Sequence, residues 1–62
     1  MDVLMRIDEY LREAGMPPTT FGRLAARDPG LVRDLRRGRR PRPPMMARLH
    51  GFLNRHHAGH QA

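Results

Sequence analysis

Apolar residues gather in four bunches along the chain, each at helical rather than strand spacing. Leu4, Ile7, Leu11 and Ala14 recur at steps of three, four and three, one face of an α-helix, and Val3 and Tyr10 widen the stripe. This spacing predicts a first helix over 2–14. Asp2 is suited to cap its free N–H groups, Gly15 to end it in the left-handed conformation, and Met16 to fold back on Leu11. Its other face, Arg6, Asp8, Glu9, Arg12 and Glu13, is mixed in sign and reads as solvated surface. A second helix is expected over 18–26, with Pro18 at its first position and Phe21, Leu24 and Ala25 as its stripe. Met16 and Phe21 then stand at hydrophobic-staple positions; a start capped by Thr19 is the shorter alternative. Gly22 inside this helix costs about 1 kcal/mol relative to Ala, and another helix crossing too close for a side chain explains it best.

The run Arg27-Asp28-Pro29-Gly30 breaks the pattern and at once restarts it. Asp28 is a good cap and Pro29 a good first residue, so a third helix is expected over 29–37. Val32 and Leu35 face the core, Leu31 flanks them and Gly38 closes the helix. Arg39-Arg40-Pro41-Arg42-Pro43-Pro44 reads as an extended basic connector. A fourth helix is expected from 44 to about 56 on Met45, Met46, Leu49, Phe52 and Leu53, weakened at Gly51. The expected architecture is one all-α four-helix domain over 1–56, followed by a flexible His-containing tail over 57–62.

Composition narrows the chemistry. At 62 residues there is room for one small domain, and the absence of Cys removes disulfides and thiolate metal sites. The chain also has no Ser and no Lys, which excludes a serine or cysteine nucleophile and a Schiff-base lysine. His, Thr, Tyr10 and a few carboxylates remain, with no core large enough for a pocket, so no enzyme and no small-molecule substrate is expected. His56 and His60 stand at i,i+4, a zinc spacing, but Gly59 intervenes and no carboxylate is near; no metal or other cofactor is expected. No apolar run approaches the roughly 18–20 residues of a membrane span, and the N-terminus lacks a signal-peptide pattern, so a cytoplasmic protein is expected.

Charge changes the picture most. All 12 basic residues are Arg and the net charge is +6. Residues 1–22 carry −2, residues 23–42 carry +6 and residues 43–62 carry +2. A GC-rich coding sequence explains arginine in place of lysine, but not this clustering. The planar guanidinium fork suits phosphate because it donates two hydrogen bonds at once.

The second helix, a short turn and the third helix make a helix-turn-helix candidate over about 18–37. Phe21, Gly22, Ala25, Val32, Leu35 and Gly38 fall at the steps that mark the lambda-repressor/Cro-like (XRE-type) DNA-binding domains, and the chain resembles that family over about 3–55. Ala26 and Arg27 stand where the family usually has Gly and an apolar residue, which predicts a different turn. The resemblance implies a polar phosphate contact at the start of the second helix; Pro18 occupies that step, leaving it to Thr19 or Thr20.

Double-helical DNA admits one α-helix in its major groove, and in helix-turn-helix proteins the second helix of the pair enters it. The resemblance therefore makes the third helix the reader. Its outward residues, Gly30, Arg33, Asp34 and Arg37, are the candidates for base contact. Gly30 lets the backbone come close and leaves the helix start open to phosphate. Arg33 can grip guanine O6 and N7 together. Asp34 either accepts from cytosine or holds Arg33 or Arg37 in place. Thr19, Thr20, Arg23, Arg36, Arg39, Arg40 and Arg42 are the candidates for phosphate contact, and Arg37 is a candidate there as well as at a base. The plainer alternatives are a dipole-matched helix end for Arg36 and Arg37 and a solvated linker for 39–42. Met46, Phe52 and Leu53 form the expected interface of a homodimer.

The expected function is a small, nucleoid-associated transcriptional regulator that binds double-stranded DNA. The alternatives are a non-specific nucleic-acid binder and a protein-interaction module such as an antitoxin or anti-repressor.

Overall fold

The structure, a computed structural model, describes residues 2–57, His57 by its backbone alone. The expected tail over 58–62, with His60, lies outside the described residues. The chain is all-α: α1 (Val3–Ala14), α2 (Pro18–Ala26), α3 (Leu31–Arg36) and α4 (Pro43–His57), with no strand among the described residues. α2 has the bounds its spacing predicts. α4 begins one residue earlier than expected and runs one further, and Gly51 does not interrupt it.

Local chemistry sets the ends. Gly15 takes the left-handed conformation (φ 64°), and both it and Met16 donate to the Leu11 carbonyl, the fold-back expected there. Asp2 stands at the N-cap position, but its side chain makes no cap hydrogen bond; its carbonyl accepts from the Arg6 N–H at 3.1 Å. α3 closes with Gly38 at φ 105°: the Gly38 N–H donates to Leu35 and the Arg39 N–H to Asp34, both at 3.0 Å. This is the Schellman pairing that Gly38 makes possible.

The core is one cluster drawn from all four helices. Ile7, Phe21, Leu31, Val32, Leu49 and Leu53 are its most enclosed side chains, and among the described residues no charged side chain is buried. All three aromatic residues of the chain meet in it. Phe21 and Phe52 pack edge to face with ring centroids 5.3 Å apart, and Tyr10 lies 6.0 and 6.1 Å from the two. Such edge-on pairs add to plain area burial, which helps a domain this small.

Two expectations about faces are corrected. Leu24 is 60% exposed, whereas Gly22, Ala25 and Ala26 are buried with Phe21. The buried stripe of α2 is thus rotated toward its smallest residues, because the following turn packs directly on Gly22. The charged face of α1 is not wholly solvated. Arg6 donates to Nδ1 of His50 at 2.6 Å and to Asn54 Oδ1 at 2.9 Å, tying α1 to α4. Asp8 pairs with Arg36 at 2.9 Å, tying α1 to α3.

Phe52 and Leu53 lie inside this single-chain core, 7% and 0% exposed, with Met46 half-buried against it. The expectation that Phe52 and Leu53 form a dimer interface is therefore corrected: both side chains are consumed by the chain's own packing.

Candidate nucleic-acid interface

The turn joining α2 to α3 spans residues 27–30 and is built on backbone contacts. Gly22 sits where it folds back: a Cβ at Gly22 would collide with the Asp28 carbonyl oxygen and stand 3.3 Å from Leu31 Cβ. The close approach comes from the turn itself and the first residue of α3. Arg27 ends α2 in the left-handed conformation at φ 55° and is the one non-glycine residue with positive φ among the described residues. Glycine is the usual occupant of such a position, so arginine bears conformational strain there.

Asp28 organises the start of α3. Its Oδ1 accepts the Gly30 N–H at 3.1 Å, and its carbonyl accepts the Leu31 N–H at 3.0 Å. Pro29 and Gly30 are thereby folded into a side-chain-closed turn, and α3 begins at Leu31 rather than at 29. Leu31, expected to flank the core, is fully buried. The expectation that the helix start is open to phosphate at Gly30 is corrected too, since that N–H is taken by Asp28.

Val32 and Leu35 face the core, and Arg33 and Arg37 face away from it, both exposed. Asp34 stands between: its carboxylate lies 3.5 Å from Arg33 Nε and 3.5 Å from Arg39 Nη1. Asp34 thus holds Arg33, as expected of it, with Arg39 rather than Arg37 as its second partner. Arg33 stays open, its side chain 71% exposed, and its guanidinium lies over Gly30. Arg39 also donates to Asp28 Oδ2 at 3.0 Å. That hydrogen bond, aided by the Gly30 N–H, holds the Asp28 carboxyl below its ordinary pKa.

The arginines expected at phosphate fall into two groups. Arg36 and Arg39 are spent on internal pairs, with Asp8 and with Asp28 and Asp34. Arg23, Arg40 and Arg42 are exposed and have no ion-pair partner among the described residues. Arg39, Arg40 and Arg42 line a hollow of about 410 Å³ floored by Pro41, Pro44 and Met45, which also includes Arg48. Arg48 was given no role from sequence. Its position one residue before the buried Leu49, and seven before Arg55, marks the solvent edge of α4 and was the available signal. Thr19 is exposed and Thr20 half-buried in the first turn of α2, with no contact joining them to the arginine groups.

Among the described residues no helix is long and apolar enough to cross a membrane, and no three His, Asp or Glu side chains group as metal ligands. No protein-family model, curated protein or solved structure matches this chain.

Proposed function

We propose that the chain is a lambda-repressor/Cro-like helix-turn-helix domain that binds double-stranded DNA as a small transcriptional regulator, with α3 as the reading helix. The observation that carries this reading is the pairing of two features in one unit. The α2–α3 turn is packed so tightly on Gly22 that it fixes α3 as a ridge, and that ridge turns Arg33 and Arg37 to solvent on the side opposite Val32 and Leu35. Arg33 reaches the guanine edge in the major groove, where a guanidinium makes two hydrogen bonds to one base. Asp34 steadies the Arg33 side chain from the next position. Arg23, Arg37, Arg40 and Arg42 neutralise backbone phosphates, which supplies affinity without sequence information.

Selection from a pool of random duplexes, followed by Arg33→Ala and Arg40→Ala on the selected site and a scrambled one, tests this. Arg33→Ala is expected to lose preference for the selected site, by about 1–3 kcal/mol of discrimination, while Arg40→Ala weakens both duplexes alike. Equal losses for both variants on every duplex would reject base reading and leave a non-specific binder.

A further inference from the structure

Leu24 and Met5 are the large apolar side chains left exposed among the described residues, at 60% and 59%. Leu24 differs from Met5 in its surroundings. It borders a hollow of about 420 Å³ between α2 and α4, lined by Leu24, Ala25, Arg27, Arg48, Phe52 and Arg55. The three arginines are exposed and have no ion-pair partner among the described residues. An apolar contact point is thus ringed by three uncompensated positive charges. Arg27 holds its place in the ring despite a backbone conformation that favours glycine.

The charge pattern selects the occupant. Two copies meeting through this face would set six guanidinium groups against one another, which opposes a symmetric dimer here. Another copy's acidic side chains offer little: Asp8, Asp28 and Asp34 are engaged within their own chain, and Asp2, Glu9 and Glu13 stand on α1 or at its N-cap, and the apolar stripe of α1 is already buried in its own core. A phosphodiester backbone satisfies arginines but brings no apolar partner for Leu24. A helix with an apolar stripe flanked by carboxylates satisfies both.

We infer that the α2–α4 hollow around Leu24 docks an acidic amphipathic helix of another protein. Leu24 meets the apolar stripe, and Arg27, Arg48 and Arg55 pair with its carboxylates. The inference does not depend on DNA binding by α3.

The probe is a synthetic helical peptide with leucines at i, i+3, i+4 and i+7 and glutamates on both flanks, titrated into the full isotope-labelled chain. Amide shifts are expected at Leu24, Arg27, Arg48 and Arg55, with Arg33 and Arg37 unmoved. Leu24→Glu, at an exposed position that leaves the core intact, is expected to weaken binding about tenfold or more. Arg27→Gly keeps the left-handed turn and is expected to weaken it too. The inference is overturned by no shifts at these residues up to about 1 mM peptide, by shifts centred elsewhere, or by equal binding of Leu24→Glu. It is also overturned if duplex DNA perturbs the hollow more strongly than the peptide does.

Discussion

At Gly22 the chain has no room for a methyl group, because the obstacle is the Asp28 carbonyl, a backbone atom that cannot swing aside. At Gly30 the close neighbour of a Cβ would be the end of the Arg33 side chain, 2.7 Å away at Nη2, which can move, with Asp28 Oδ1 at an ordinary contact distance of 3.6 Å. Two glycines eight residues apart therefore answer to different demands. Gly22→Ala is expected to destabilise the fold by about 1–3 kcal/mol in urea denaturation. Gly30→Ala is expected to change stability by less than about 0.5 kcal/mol, yet to weaken DNA binding several-fold by displacing Arg33. If Gly22→Ala is neutral, the turn is not packed as described. The sequence already marked Gly22 as a place of close approach, since a helical glycine is costly without a reason. It could not identify the neighbour, because the partner is backbone from a turn whose shape depends on Asp28.

Among the elements, α2 was legible in its bounds, and α3 in its Val32–Leu35 core face and its close at Gly38 but not in where it starts. Pro18 at the start and the break after Ala26 delimit α2 by local chemistry alone. The length of α3 turns on a competition at Asp28, whose carboxylate and carbonyl fold Pro29 and Gly30 into a turn and shorten the helix to Leu31–Arg36. Helix-start rules favour Pro29 as a first residue and cannot weigh the long-range clip from Arg39. Leu24 was misplaced for a related reason: a spacing rule weights large apolar residues, whereas close packing on α2 selects its small ones. The Asp28–Arg39 clip carries a pH signature. Because the folded-state pKa of Asp28 is lowered, its contribution to stability is present above the ordinary value of 3.8 and is lost as pH falls through the lower folded value. Acid titration of thermal stability is expected to show this loss in the wild type and a smaller one in Asp28→Asn. Identical acid profiles would remove the clip from the account.

Over the whole molecule, the net charge of +6 overstates what is free to meet phosphate. Arg36 and Arg39 are paired within the chain, which leaves Arg23, Arg37, Arg40 and Arg42 as the unpaired arginines proposed to meet phosphate. With about four phosphate contacts, log K against log salt is expected to fall with a slope near −4. Arg36→Ala is expected to leave that slope unchanged and to cost less than about 1 kcal/mol of stability, as exposed pairs do. A slope reduced by about one in Arg36→Ala would show that Arg36 leaves Asp8 for phosphate. The clustering of arginine was plain in the sequence. Its division into paired and unpaired members was not, because Arg36 and Arg39 find their carboxylates on another element or across the turn, and only Arg33 and Asp34 pair as sequence neighbours.

The claim on which this reading stands is that the outer face of α3 meets the duplex. Amide-shift mapping of the labelled chain against duplex DNA measures it most directly. The account predicts the largest changes at Gly30, Arg33, Asp34 and Arg37, with smaller ones at Arg23 and residues 40–42. Changes confined to the α2–α4 hollow or to the connector, with Arg33 and Arg37 unmoved, would contradict it.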